Sequence, residues 1–586
     1  MCGIAGVVGT RDPQLIKKMT AALYHRGPDD EGYFSNEDID LGARRLSIID
    51  LDEGQQPIYN ETRDKCVIFN GEIYNYRELR QSLIRQGHHF TTATDTEVII
   101  HLYETYGERC VEHLRGMFAF AIADGKKLFI ARDRFGIKPL YYAFLKAQGL
   151  FLFASEIKAL LRCPALTVNI NQEMLCHVAI LGHAFGNETY FEGVESLPPG
   201  HCMWIEREGP ELTTILKPYY KLSLDGQAAL TFDEAAERLH LLLADAVHSH
   251  LVADVDIGLT LSGGIDSTLL ALEMARHYAH PISSFTISDT PDNPDIHSAR
   301  VVAENIHSEH LEVLTNFEDS TASIPQYMLA EEQPSSLFGL PLFLLCRQIG
   351  RQVKVCINGE GADELFGGYS DYLERQAKVN RLQTSLAKVK TLGLTPRAEL
   401  IEYISLLSAA QTDEEYLAHL FPFNLSPQLV HNHLHVVDKY AMASSLEMRV
   451  PFLDNTFVEF SNSLPIAYKV NVTAGIKKYI LKKVAIDSYG EITINAVLRK
   501  KVGFPSSGWG FLTEFNKYCE TALPDHYAER HEMKSYYTFS DAKGTAISKR
   551  ALILYDLFHL IFIEQRGSIP EGFDFNQFMR GKAHTS

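Results

Sequence analysis

The stretch that most limits the fold runs from Ile257 to Ser267. Ile257-Gly258-Leu259-Thr260-Leu261 reads as a buried strand, and Ser262-Gly263-Gly264-Ile265-Asp266-Ser267 turns it directly into a helix. The alternation then repeats. Strands over residues 284–287, 310–313 and 353–357 are separated by helices starting near Asp295 and Pro341, the order expected of a parallel, doubly wound α/β sheet. Upstream, Thr231-Phe232-Asp233-Glu234 has the capping-box pattern, with Phe232, Ala236, Leu239, Leu243 and Val247 on one helical face behind it. Beyond about residue 370 the signals are helical to about residue 564, and the polar tail over 565–586 is expected to fray.

The first 205 residues have another texture. Short strands are expected over 4–8, 43–49, 66–70, 117–123, 127–132 and 150–154, with helices over 13–24, 76–86 and 96–106. This pattern suggests stacked sheets covered by helices. Gly209-Pro210, Pro218 and Gly226 loosen the following stretch into a linker. The expected organisation is therefore a first domain over 2–209, a linker over 210–230, a second domain over 231–564 and the tail.

With 586 residues, 46% of them hydrophobic, the chain can bury more than one core. A net charge of −19 argues against a nucleic-acid footprint or a polybasic membrane surface. Nine cysteines without a Cys-x-x-Cys pair fit neither a disulfide framework nor a structural zinc site, which makes a reducing cytoplasm the expected location. The longest apolar stretch, around 340–345, is far too short for a membrane span.

Several residues carry chemistry. If Met1 is removed, Cys2 combines a thiol with an α-amine; these titrate at about 8.5 and about 8, so the amine can take the thiol proton without a histidine. The plain alternative is a small apolar residue opening a strand. Arg45, Asn70-Gly71-Glu72 and Asp95 are polar groups at expected strand ends, although each also has an ordinary role as surface cation, hairpin turn or helix N-cap. The glycines of 262–267 let backbone N–H groups approach an anion at a helix N-terminus, and without the Walker spacing they do not indicate γ-phosphoryl transfer. Asp266 in this loop and Asp363, in the glycine-rich run from Asn358 to Tyr369, are carboxylates that leave expected strand ends and face one crevice, although a solvated acidic loop is the ordinary reading of the second.

Cys2-Gly3-Ile4, His25-Arg26-Gly27-Pro28-Asp29, Arg45-Leu46-Ser47-Ile48, Asn70-Gly71-Glu72-Ile73-Tyr74-Asn75, Gly116-Met117-Phe118-Ala119-Phe120 and Arg132-Asp133-Arg134-Phe135-Gly136 resemble the class II, N-terminal-nucleophile glutamine amidotransferases. The resemblance implies an α+β four-layer αββα sandwich of the Ntn hydrolase type. It implies Cys2 as nucleophile on glutamine, Asn70 and the Gly71 N–H as oxyanion donors, Arg45 on the α-carboxylate, and Glu72 and Asp95 on the α-ammonium. Ser262 to Ser267 resembles the PP-loop of ATP pyrophosphatases, which cut between the α and β phosphates. With Asn358-Gly359-Glu360-Gly361, Leu446-Glu447-Met448-Arg449-Val450-Pro451-Phe452-Leu453-Asp454 and Lys477-Lys478-Tyr479, the chain is similar to glutamine-hydrolysing asparagine synthetases. That likeness implies ATP held by Leu261, Ser262, Gly263, Gly264, Asp266, Ser267, Ile287, Asn358 and Gly359, with Leu261 and Ile287 near adenine. It further implies Mg2+ on Asp266 and Asp363, Lys478 on the α-phosphate, and Glu360 between ammonia and the activated carboxyl. No organic prosthetic group is implied; a homodimer and a sheltered, apolar ammonia passage between the two sites are. Asn358, where the family often has serine, and the atypical run from Glu331 to Leu337 leave the acceptor open between aspartate and another carboxylate. A silent, scaffold-like relative would show erosion of Cys2, Asp266 or Asp363, and all three are present.

Overall fold

The computed structural model describes residues 1–209, 211–224, 228–334, 336–498, 510–534, 538–541 and 544–584. The first half holds two antiparallel sheets. One has the order β10-β8-β9-β1-β3-β2, the other β12-β11-β7-β6-β5-β4. The strands are β1 Cys2–Val8, β2 Asp30–Ser35, β3 Ile39–Arg45, β4 Ile58–Tyr59, β5 Lys65–Ile73, β6 Gly116–Asp124, β7 Lys127–Arg132, β8 Tyr141–Leu145, β9 Leu150–Ala154, β10 Glu195–Ser196, β11 His201–Glu208 and β12 Glu211–Pro218.

Strand periodicity decides which side chain enters which layer. Ile4 and Val8 join Ile68, Ala121 and Ile130 between the sheets, whereas Ala5 and Val7 face outward onto Leu15 and Met19 of α1, Pro13–Ala21. On the far side, Val67 and Phe69 of β5 pack with Ile99 and Leu102 of α3, Glu97–Tyr106, next to α2, Tyr76–Arg85. The result is the expected αββα stack.

The second half centres on five parallel strands in the order β15-β14-β13-β16-β17: β13 Ile257–Thr260, β14 Ser283–Ser288, β15 Glu309–Leu314, β16 Val355–Ile357 and β17 Glu447–Arg449. Helices Phe232–His250 and Ile265–His277 bury Leu239, Leu243 and Leu269 with Leu259 and Ile357. Leu340–Ile349 buries Leu344 and Leu345 with Phe285 and Cys356 in a separate cluster. Helices thus cover both faces, as a parallel sheet requires. The capping box at Thr231 and Glu234 forms as its pattern predicts.

Four expectations change. The strand expected over 43–49 is Ile39–Arg45, because Asp40, which breaks the apolar pattern, is buried by bonds from Asp12 N and Ser35 Oγ. The expected linker contains β12, an exposed edge strand whose eight-residue ladder with β11 supplies what its burial does not; Pro210 and Gly226 lie outside the described residues. The region read as wholly helical includes β17, at three residues too short for periodicity to register. The tail forms a helix, Phe575–His584, that buries Phe575 and Met579, the former stacked on Phe515; residues 585 and 586 lie outside the described residues. Among the described residues no helix is long and apolar enough to cross a membrane.

Candidate active sites

The N-terminal strand brings the first set of residues together. Cys2 pairs with Arg45 in the β1–β3 register and is buried. Its backbone N–H donates to Asn70 Oδ1 at 3.1 Å, its carbonyl accepts from Arg26 Nε at 3.2 Å, and Gln56 Nε2 lies 3.4 Å from its sulfur. Asn70 and Gly71 sit inside β5, so Asn70-Gly71 is not a hairpin turn. A Cβ on Gly71 would stand 2.1 Å from the Met117 carbonyl oxygen, and β5 therefore tolerates no side chain there. The other half of the Asn70 amide is the telling atom: Nδ2 is buried and donates to nothing. A buried amide donor normally finds an acceptor, so this one is available to oxygen on a bound molecule.

Acids gather beside it. Asp95 is not the helix cap; its Oδ2 accepts from Ile73 N at 2.8 Å, and Thr96 precedes α3. The Met1 α-ammonium donates to the Leu46 carbonyl and lies 3.4 Å from Glu447 Oε2. Burial raises the Asp95 carboxyl to about 6 and lifts that of Glu72 well above the carboxylate range, with the Met1 ammonium pulling both back. Glu72 Oε2 also meets Arg449 at 3.2 Å, a partner from the parallel-sheet half. Met1 thus places an ammonium among the same acids that the resemblance assigns to the ammonium of glutamine. Arg45 donates to the carbonyls of Ile49 and Asp50, in space that a side chain at Gly54 would fill. Burial raises the Cys2 thiol above its usual range, so with Met1 attached it stays protonated at neutral pH.

The second set lies at the carboxyl edge of the parallel sheet, where open α/β sheets bind ligands. Ser262 and Ser267 close the loop through an Oγ–Oγ contact of 3.2 Å, and Gly263 takes φ 67°, with Ser298 where a Cβ would go. Leu261 and Ile287 end neighbouring strands, yet their side chains are buried in different clusters. Asn358 wires the crevice: Nδ2 donates to Thr260 Oγ1 at 3.1 Å and Oδ1 accepts from Glu360 N at 2.8 Å. Gly359 lets this loop approach Asp266, 3.3 Å from a would-be Cβ.

Lys478 ties the site together. Its Nζ lies 2.5 Å from Asp266 Oδ2 and 2.6 Å from Asp363 Oδ1, and both carboxylates hold the ammonium above its ordinary range against the opposing effect of burial. Lys478 has φ 52°, a left-handed backbone that a non-glycine residue adopts at a cost of order 1–3 kcal/mol, common where geometry serves a site. A side chain at Gly368 would collide with Asp363 and Lys478. Two carboxylates from the first turns of separate helices, Ile265–His277 and Ala362–Phe366, meeting one cationic centre are a donor set that suits a hard divalent ion such as Mg2+.

Glu360 has a partner that sequence reasoning missed. Its Oε1 is 3.1 Å from His433 Nδ1, and His433 Nε2 is 3.2 Å from the Tyr369 hydroxyl and 3.6 Å from Glu364. His433 comes from a π-helical turn, Asn424–Leu434, far along the chain. Arg26, Gln56, Glu447 and Arg449 were likewise missed as site residues, because their partners are up to several hundred positions away.

Buried ion pairs join the two halves. Arg26 meets Glu156 and Asp438, each at 2.8 Å, and Asp438 also meets Lys138. Glu332 accepts from the backbone N–H groups of Ile157 and Lys158 and pairs with Lys439. Part of the run from Glu331 to Leu337 is therefore interface; Ser335 lies outside the described residues. A cavity between the halves is lined by Arg132, Tyr141, Ile157, Glu332, His431 and His435, a mixed rather than apolar wall.

Comparison with known proteins agrees with this two-part layout. Residues 1–220 match the glutamine amidotransferase domain model and residues 238–551 the asparagine synthase model. The chain is 30% identical to asparagine synthetase [glutamine-hydrolyzing] 1 of Bacillus subtilis (strain 168), over 97% of this chain and 98% of that protein. It is 34% identical to the second such synthetase of that bacterium over 79% of this chain and 67% of that protein, and 28% identical to the maize (Zea mays) protein over 98% and 88%. An end-to-end match of this kind, carried by both halves, establishes that the chain is a carbon–nitrogen ligase belonging to the family of glutamine-hydrolysing asparagine synthetases.

Proposed function

We propose that the protein hydrolyses glutamine at Cys2 and delivers the ammonia to an acyl-adenylate made from ATP and aspartate, forming asparagine, AMP and pyrophosphate. The observation that carries the first half is Asn70 Nδ2, a buried donor without an acceptor beside the Cys2 backbone. Loss of Met1 frees the Cys2 amine and empties the acidic pocket at Glu72 and Asp95 for the substrate ammonium. The thiol passes its proton to that amine and attacks the amide carbon of glutamine. Asn70 Nδ2 and Gly71 N–H receive the oxyanion, a contribution of roughly 3–4 kcal/mol for one donor. Ammonia departs, and water releases glutamate from the thioester.

In the second half, the acceptor carboxylate attacks the α-phosphorus of ATP and pyrophosphate leaves. Lys478 meets the negative charge that builds on the α-phosphate, and the 262–267 loop presents backbone N–H groups to the phosphates. Asp266 and Asp363 would hold Mg2+, which neutralises pyrophosphate charge when bound. Ammonia attacks the adenylate carbonyl and AMP leaves, with Glu360, oriented by His433, placed to take the surplus proton. The interface cavity supports a route for ammonia: burial holds His431 down at about 3 and lowers His435 as well, so both imidazoles stay neutral. Aspartate as acceptor is supported by the end-to-end likeness to proteins named asparagine synthetases. Pyrophosphate release from ATP across a panel of carboxylates tests it: aspartate is expected to give the strongest signal, and silence with aspartate alongside turnover of another acid assigns the same chemistry to that acid.

A further inference from the structure

Away from both sites, on the outer face of the first domain, two histidines and two glutamates converge from three segments. Glu61 lies in the turn after β4, His88 in the connection from α2 to α3, and His101 and Glu104 one helical turn apart on α3. Glu61 Oε1 is 3.3 Å from His88 Nδ1 and 3.6 Å from His101 Nδ1, and Glu104 Oε2 is 3.9 Å and 3.4 Å from the same two nitrogens. Four donors bound tetrahedrally at about 2.0–2.1 Å stand about 3.3 Å apart. Three of the four spacings are within about 0.3 Å of that figure, and the His88–Glu104 pair, at 3.9 Å, is the wide one.

The surroundings favour bare nitrogens facing the centre. Thr105 Oγ1 donates its single hydrogen to the His101 carbonyl at 2.9 Å, so at 2.9 Å from His88 Nε2 it acts as acceptor. His88 therefore carries its proton on Nε2 and turns the other nitrogen to Glu61. His101 is fully buried, and neither ring nitrogen makes a hydrogen bond. Behind it, 3.7 Å from Nε2 and beyond hydrogen-bond distance, stands Glu97, fixed by bonds from Thr91 and Thr92, a carboxylate on the side of the ring away from the centre. Glu104 Oε1 is held by Asn60 Nδ2 at 2.7 Å. Glu61 is exposed at the mouth, leaving a path for entry.

We propose that Glu61, His88, His101 and Glu104 form a divalent-cation site suited to Zn2+. Two imidazole nitrogens and two carboxylate oxygens are ligands that this ion accepts, and two carboxylates match its charge. The ion would brace the outer wall of the Cys2 pocket, since α3 follows directly on Asp95 and β4 follows Gln56.

Full-length protein stripped with EDTA, incubated with zinc and desalted is expected to retain one equivalent by plasma mass spectrometry. Cobalt(II) in its place is expected to show the strong visible absorption of tetrahedral coordination. Glu61→Ala and His88→Ala, both outside the buried core, are each expected to weaken zinc at least about tenfold in chelator competition, and zinc is expected to raise Tm in the parent protein but not in the double variant. Protein with the native circular-dichroism spectrum that retains no zinc overturns the proposal. So does a weak, octahedral cobalt spectrum, or equal zinc retention by parent and variants.

Discussion

The two sites are built on opposite plans. The pocket at Cys2 is assembled from separate segments: Cys2 opens β1, Arg45 ends β3, Asn70 lies inside β5 and Asp95 precedes α3, all are buried, and the Met1 ammonium sits among its acids. The crevice at Asp266 is assembled from loops leaving neighbouring parallel strands, with glycines where backbone or charge must come close and with Asp266 and Asp363 partly open to solvent. The first is sealed, with Met1 in place, and on the proposed reading it opens when Met1 is removed. The second is pre-shaped and held by a lysine standing between two carboxylates. On the proposed reading the sealed site would protect a thioester and the edge site would admit a nucleotide; buried ion pairs join the two halves.

The sharpest way to break this contrast is Cys2→Ala. Glutamate release is expected to fall by on the order of 10⁴-fold or more, while pyrophosphate release driven by added ammonium salts persists. Equal loss of both activities would mean that the sites are not separable. Next comes Asp438→Ala, which leaves Arg26 and Lys138 buried beside a missing charge. Breaking such a pair costs on the order of 3–5 kcal/mol, read as a lowered Tm. Because Arg26 also holds the Cys2 carbonyl, glutaminase activity is expected to fall with it; an unchanged Tm would show that the joint carries no load. Lys478→Met is the mirror of the first variant: adenylation drops by about 10²–10³-fold, the loss expected for one donor to developing charge, with glutamate release from glutamine unaffected.

The contrast also explains what the sequence could disclose. Ser262 to Ser267 is contiguous, so its chemistry and the strand and helix that flank it are readable from a dozen residues. The pocket at Cys2 offers no such run; Arg45, Asn70 and Asp95 look individually like a surface cation, a turn and a cap, and only the family resemblance grouped them. Asn70-Gly71 misleads for a physical reason: a pair that usually turns a hairpin here continues β5, because the Met117 backbone leaves no room for a side chain. Cross-domain partners were invisible in principle. Arg449 and Asp438 acquire meaning only when elements hundreds of residues apart pack together, and no local periodicity encodes that.

The smallest effect concerns the crevice alone. His433 is held up to about 9: burial works against its charge, but Glu364 and Glu360 outweigh it. Glu364 itself is pushed up to about 7 by burial, offset by His433. Both shifts mean that the folded trio binds protons more tightly than the unfolded chain does. The stabilisation from His433 is fully present below about pH 6.5, the ordinary histidine value, and is lost as pH rises through about 9. Glu364 acts in the same direction between about 4.5 and 7. Tm of the parent protein is therefore expected to fall between pH 6.5 and 9 by a few °C more than that of His433→Gln, about the scale of one or two kcal/mol in a large domain. Over the same window the parent, but not the variant, loses the imidazolium that orients Glu360, so its ammonia-driven rate declines beyond what ammonia ionisation alone gives. Parallel Tm profiles for the two proteins would remove His433 from the trio and leave Glu360 positioned by the Asn358 turn alone.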